Sequence, residues 1–152
     1  MHVAGHRILA LDLGQRRIGL AVSDAMGWSA QGLPTLERRS HGADLAALAQ
    51  LGRQHHAALW LIGLPRRMSG AEGPEAARAR DFGAALERHT RIPVAYWDER
   101  LTSVEAGRVL HEAGSSRRQH RQAVDRLAAV LILQAYLDYR AAAPDRTTKG
   151  EE

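Results

Sequence analysis

The chain contains no cysteine, and this absence removes several kinds of chemistry. Disulfide bonds, a thiolate nucleophile and a cysteine-ligated zinc site are all excluded. Long apolar runs are missing as well, since none approaches the ~20 residues that a membrane-spanning helix needs. The first residues, MHVAGHR, lack the apolar core of a signal peptide. We therefore expect a cytoplasmic protein without a membrane segment.

Lysine is almost as scarce, because 20 of the 21 basic residues are arginine. The formal net charge is +4, and the planar guanidinium group of arginine suits bidentate contacts with phosphate. An anionic partner is one explanation of this composition, and the codon usage of a GC-rich genome is the other. With 45% hydrophobic and 25% charged residues, the composition is that of an ordinary globular domain and does not decide the fold class.

The order of the predicted elements does indicate a fold class. Patterns of apolar residues predict strands over 7–13, 17–23, 29–37, 58–62 and 92–97. Helices are predicted over 44–55, 74–88 and 123–140, and a capping box at 102–105 predicts a further helix before a polar, basic loop over 114–122. Three antiparallel strands followed by α/β crossovers predict an α/β domain with a mixed five-stranded sheet and helices on both faces. We expect this domain to span 1–141 and the tail, 142–152, to be disordered.

Three carboxylates fall at positions that such a sheet could bring together. Asp12 interrupts the first apolar run, Glu99 follows the last strand, and Asp125 begins the apolar face of the last helix. If the first and last strands share one sheet under that helix, all three converge at one end. A cluster made only of carboxylate oxygens suits a hard cation such as Mg²⁺ or Mn²⁺, and two such ions support phosphodiester cleavage.

Each of these carboxylates also has a simpler interpretation. Asp12 could cap the turn that follows it, and Asp125 could pair with Arg121 one helical turn earlier. Asp98 and Glu99 could be solvated at the strand end or pair with Arg100. Spacing alone leaves these alternatives open.

Four ordered motifs carry a resemblance to a known family. They read ALDLGQRRIGLAVSD at 10–24, IGLPRRMSG at 62–70, WDERLTS at 97–103 and VDRLAAVLILQAYLD at 124–138. The chain thereby resembles the YqgF family, RNase H-like proteins described as Holliday junction resolvases and as pre-16S rRNA nucleases. The resemblance covers residues 8 to 138, nearly the whole predicted domain.

The resemblance implies an RNase H-like fold and a set of site residues. Asp12, Glu99 and Asp125 would be the catalytic residues and would bind Mg²⁺ or Mn²⁺, as two ions. Asp98 would support the site, and Arg100 would contact the scissile phosphate or pair with Asp98. Gly14 would keep the adjacent turn narrow and its backbone accessible. By position, the arginines that could contact backbone phosphates, or else be solvated surface residues, are Arg16, Arg17, Arg66, Arg67, Arg117, Arg118 and Arg121.

The implied function is that of a metal-dependent nuclease on structured nucleic acid. Its substrate would be the 5′ end of pre-16S rRNA, in ribosomal precursor particles, or branched DNA such as a Holliday junction. A trimming enzyme could be a monomer, whereas a resolvase would be a homodimer. The alternatives are half of an actin-like or sugar-kinase-type ATPase, which would need a second domain, and a non-catalytic scaffold that binds nucleic acid.

Overall fold

The computed structural model of the protein describes residues 6–102 and 117–142, with side chains for 6–102 and 126–142. The strands are β1 (Arg7–Leu13), β2 (Arg17–Ser23), β3 (Ala30–Glu37), β4 (Ala57–Leu64) and β5 (Val94–Asp98). The helices are α1 (His41–Gln54), α2 (Pro74–Thr90) and α3 (Arg117–Ala142), and a short 3₁₀ helix covers Glu99–Leu101. None of the described helices combines the length and the apolar character of a membrane span.

The five strands form one mixed sheet in the order β3-β2-β1-β4-β5. β2 is antiparallel to both β1 and β3, while β4 is parallel to both β1 and β5. This arrangement confirms the predicted α/β class and the antiparallel-then-crossover order. Because β1, β4 and β5 are parallel, their carboxyl ends lie at the same edge of the sheet.

Alternating side chains of β1, the central strand, belong to two separate hydrophobic cores on opposite faces of the sheet. Leu9 and Leu11 pack with Trp60 and Phe82 under α1 and α2. Ile8 and Ala10 pack on the opposite face, under α3, where the buried helix residues are Ala129, Ile132, Leu133 and Leu137. A strand covered on both faces reads as a continuous apolar run, which is the pattern of β1, β2 and β4.

The helix ends follow from identifiable residues. Ser40 caps α1 by accepting a hydrogen bond from the backbone N–H of Ala43 at 3.1 Å. Pro74 occupies the start of α2, where its missing N–H leaves no helical hydrogen bond unmade. α2 ends at Thr90 and is followed by the capping residue Arg91, whose φ of 61° lies in the left-handed region.

One predicted segment differs from the structure. Residues 117–122 belong to the first turns of α3 and not to a loop. Their polarity suggested a loop, but arginine and glutamine are good helix formers and no glycine or proline interrupts this stretch. The helix predicted from the capping box at 102–105 and the tail from 143 lie outside the described residues.

A carboxylate pair at the carboxyl edge of the sheet

Asp12 lies near the end of β1, on the sheet face that α3 covers. It pairs across the sheet with Gly19 of β2 and follows Ile8 and Ala10 on that face. Glu99 begins the 3₁₀ helix immediately after β5, the outer parallel strand. The shared carboxyl edge therefore brings together two residues that are 87 positions apart in the sequence.

The two carboxyl groups interact directly, and their contact changes the acidity of Glu99. Burial is the main cause that raises the pKa of Glu99 to about 8, and the hydrogen bond to Asp12 and the negative charge of Asp12 add to it. The raised pKa favours the protonated form of Glu99, which can donate a hydrogen bond to the Asp12 carboxylate. Two carboxylates that must share a proton in this way have the oxygen donors and the excess negative charge that a divalent cation requires.

Gly63 of β4 makes room for this pair. A Cβ atom at Gly63 would lie 2.8 Å from Oε1 of Glu99 and 2.7 Å from Cδ1 of Ile132. Glycine here lets both the Glu99 side chain and α3 lie close to the strand without displacing either side chain. The sequence motif included Gly63, but its contribution was not predicted. A glycine at the end of an otherwise apolar strand is the signal that marks it.

Asp98 and Arg100 form a separate unit beside the pair. Nε and Nη2 of Arg100 donate to the carboxylate of Asp98 at 3.0 Å and 2.6 Å, and the backbone N–H of Arg100 donates to it at 2.9 Å. These hydrogen bonds to Arg100 lower the pKa of Asp98. Nη1 of Arg100 also lies 3.4 Å from the carbonyl oxygen of Met68, in the connection after β4. Of the two interpretations of Arg100, the structure shows the pairing with Asp98.

Gly14 closes the β1–β2 turn next to Asp12. Its N–H donates to the carbonyl oxygen of Arg17 at 2.9 Å, and a Cβ atom here would lie 2.7 Å from that oxygen. The turn is therefore narrow, as predicted. Its backbone is not open, however, because the Gly14 carbonyl accepts a hydrogen bond from Nη1 of Arg38 at 2.8 Å.

The third predicted carboxylate, Asp125, belongs to α3, and its side chain lies outside the described part of the structure. Gln134 of α3 donates to the carbonyl of Trp28 and accepts from the N–H of Ala30, beside the start of β3. Ile132 lies against Gly63, close to the carboxyl edge. α3 therefore runs toward the amino end of β1, and its first turns, which include Asp125, point back to the carboxyl edge.

No group of three acidic or histidine side chains able to hold a metal ion occurs among the side chains described for 6–102 and 126–142. Asp12 and Glu99 supply two of the predicted ligands, and Asp125 is outside that set. A three-carboxylate site consequently remains a prediction.

The predicted phosphate-binding arginines occupy different surroundings. Arg16 lies in the β1–β2 turn, and Arg17 begins β2 and pairs with Glu37 at 4.0 Å. Arg66 pairs with Glu72 at 3.3 Å. The guanidinium group of Arg67 lies 2.9 Å from where a Cβ atom of Gly73 would be, next to the start of α2. The remaining three are in the first turns of α3, with side chains outside the described residues: Arg117, Arg118 and Arg121.

This fold belongs to the RNase H-like class. It matches the structure of Thermus thermophilus RuvC in complex with a Holliday junction substrate with a TM-score of 0.57, at 12% identity, over 91% of this chain and 97% of that one. A second structure of RuvC from the same organism matches with a TM-score of 0.53, at 13% identity, over 90% and 96%.

The sequence defines the family more narrowly. A sequence model described as "RuvX: Holliday junction resolvase" matches residues 6–139, and the chain belongs to this family. A protein from Koribacter versatilis named "Putative pre-16S rRNA nuclease" is 54% identical over 134 residues, 88% of each chain. One of the same name from Moorella thermoacetica is 52% identical over 132 residues, 87% of this chain and 94% of the relative. Membership confirms the family predicted from the four motifs and places the chain among nucleases.

Proposed function

We propose that the protein is a divalent-metal-dependent nuclease whose cleavage site is the Asp12–Glu99 pair. The observation that carries the proposal is the contact of these two carboxyl groups, with the raised pKa of Glu99, at one end of an RNase H-like sheet. Asp125 would complete the set from the first turns of α3. Bound Mg²⁺ or Mn²⁺, as two ions, would supply the charge needed to activate water and to stabilise the leaving oxygen.

The residues of the chain would prepare this site in a definite way. Glu99 would lose its shared proton when a cation binds, so that both carboxylates become ligands. Gly63 allows Glu99 to lie against the strand, and the Asp98–Arg100 unit fixes the first turn after β5. We assign Arg100 to positioning, because its guanidinium group is already engaged by Asp98.

The preferred substrate is the 5′ end of pre-16S rRNA, in cytoplasmic ribosomal precursor particles. The names of relatives that are 52% and 54% identical support this choice. Branched DNA is the second candidate, which the description of the family supports. Trimming of rRNA is compatible with a monomer, while matched cuts in a junction require a homodimer. The ATPase and scaffold alternatives are not favoured by the family match.

The Asp12→Asn variant tests the nuclease assignment. We expect cleavage to fall by at least about a hundredfold, because a neutral amide removes a ligand charge while preserving shape. A precursor rRNA leader and a four-way DNA junction should be assayed in parallel, in Mg²⁺ and in Mn²⁺, with the mass in solution measured alongside.

Asp81→Asn is the matched control, since Asp81 is exposed on α2, which packs on the opposite face of the sheet from the pair. It should cleave like the native protein. Full metal-dependent cleavage by the Asp12→Asn variant would contradict the assignment. Cleavage of one substrate and not the other would decide between rRNA and junction.

A further inference from the structure

An arginine-lined cavity of about 820 Å³ opens beside the β1–β2 turn. Its walls are this turn, the connection between β3 and α1, and the first turns of α2. The lining includes five arginines against three carboxylates, an excess of positive charge that attracts a polyanion. The arginines are Arg16, Arg17, Arg38, Arg39 and Arg78.

Arg38 is held rigidly in this cavity, which a solvated surface arginine would not be. Its Nε lies 3.4 Å from Oδ2 of Asp44, a carboxylate that is only 3% exposed. Its Nη1 donates to the Gly14 carbonyl at 2.8 Å, and its guanidinium group lies 5.3 Å from the centre of the Phe82 ring. Among the described residues no hydrogen bond engages Nη2 of Arg38, so this amine retains both N–H groups for an anion.

The cavity adjoins the carboxylate pair along the chain. Leu13 and Gly14 line it, and they directly follow Asp12. Since an extended chain rises about 3.4 Å per residue, Gly14 lies within about 7 Å of Asp12 along β1. A strand cut at the carboxylate pair could therefore continue over the edge of the sheet into the cavity.

We propose that this cavity binds the sugar–phosphate backbone of a single-stranded segment next to the bond that is cut, an inference that rests on the proposed nuclease function. A cavity of this volume, walled by three segments, has room for a few nucleotides of one strand. His41, exposed and edge-on to Phe82 at 5.9 Å, offers a ring on which a base can stack. Arg38, Arg39 and Arg78 are thus assigned to substrate binding.

The double variant Arg39→Gln/Arg78→Gln tests the proposal. Both side chains are exposed, so the fold should be unaffected, as the thermal midpoint will show. The probes are two fluorescent RNA hairpins, one blunt and one with a short oligouridine tail, bound in Ca²⁺ to prevent cleavage. We expect the tail to strengthen binding to the native protein and the variant to lose this gain, roughly tenfold in Kd. The logarithm of the binding constant falls linearly with the logarithm of the salt concentration. For the tailed probe, the magnitude of this slope should be smaller in the variant by about 1.4, at about 0.7 for each phosphate that an arginine neutralises.

Arg53→Gln/Arg88→Gln is the matched control, because it removes the same charge from the other ends of α1 and α2. The proposal would be overturned if both double variants lost the same affinity for the tailed hairpin. It would also be overturned if Arg39→Gln/Arg78→Gln lost the same affinity for the blunt hairpin as for the tailed one. Displacement of the tail by micromolar ATP would assign the cavity to a mononucleotide instead, and displacement by polyglutamate alone would assign it to an acidic protein. The binding assay does not depend on cleavage, so a native protein that binds the tail but cuts nothing would refute the nuclease function and not the binding site.

Discussion

Asp98 and Glu99 are adjacent in sequence but have opposite acid–base behaviour. Asp98 closes β5 and is kept ionised by Arg100, which lowers its pKa. Glu99 is turned into a mostly buried position against Gly63 and Asp12, which raises its pKa. Environment, and not residue type, therefore assigns one carboxyl group to local structure and the other to the candidate site.

The raised pKa of Glu99 predicts an unusual pH dependence of stability in the metal-free protein. Between its ordinary pKa of 4.5 and its folded pKa of about 8, Glu99 holds a proton in the folded state that the unfolded chain has released. The free energy of unfolding should therefore fall as pH rises through this range, by at most about 1.4 kcal/mol per pH unit. Urea unfolding in a chelator at several pH values measures this slope.

The Glu99→Gln variant should lose the pH dependence that Glu99 gives to the free energy of unfolding, because glutamine does not titrate. The difference between its profile and the native profile isolates Glu99 from all other titrating groups. Asp81→Asn should retain the native profile. Parallel profiles for the native protein and Glu99→Gln would contradict the assigned pKa.

At the scale of elements, the sequence predicted the strands well because their burial is visible locally. Apolar runs located all five strands, whereas the position of Asp12 on the opposite face of β1 from Leu11 and Leu13 was not predicted. The prediction of a loop over 117–122 was wrong, because exposed helical turns and polar loops have similar amino-acid compositions. The contact of Arg38 with Asp44 and Gly14 could not be predicted, since it depends on how the β1–β2 turn meets α1 in three dimensions.

β4 offers a direct test of the close packing at the candidate site. Gly63→Ala should destabilise the protein by about 1–3 kcal/mol, because the added methyl group overlaps both Glu99 and Ile132. It should also reduce cleavage by displacing Glu99. Chemical unfolding and the cleavage assay are the two measurements.

Gly42→Ala is the control for this substitution. Gly42 lies in α1 with no atom within 4 Å of the position of an added Cβ, so alanine there should be neutral or stabilising by up to about 1 kcal/mol. If Gly63→Ala is as stable and as active as Gly42→Ala, neither stability nor cleavage requires the close approach of Glu99 to β4.

At the scale of the whole molecule, chemically distinctive residues gather at one end of the sheet. The carboxylate pair and the arginine-lined cavity both lie at the carboxyl edge of β1, and the first turns of α3 point toward this edge. The family and the motifs predicted this end as the site, but only the strand order could show that the turn after β1 and the turn after β5 lie at the same edge with one strand, β4, between them.

The first turns of α3 supply the last prediction. Arg117→Glu/Arg118→Glu should weaken nucleic-acid binding. The slope of the logarithm of the binding constant against the logarithm of the salt concentration should become shallower by about 0.7–0.9 for each phosphate that is no longer neutralised. Binding titrations over a range of salt concentrations, with Arg53→Glu/Arg88→Glu as the control at the far ends of α1 and α2, provide the measurement. A slope unchanged from that of the control would mean that the start of α3 is off the substrate path.

The fixation of the β1–β2 turn by Arg38 has a consequence for affinity. The Arg38 side chain holds the Gly14 carbonyl, and its backbone N–H donates to the Arg16 carbonyl at 2.8 Å. Ordering one backbone residue costs about 1–2 kcal/mol of entropy, and here folding has already met that cost for the turn. A substrate then meets a surface that is in its binding conformation beforehand, so that more of each interaction remains as net affinity.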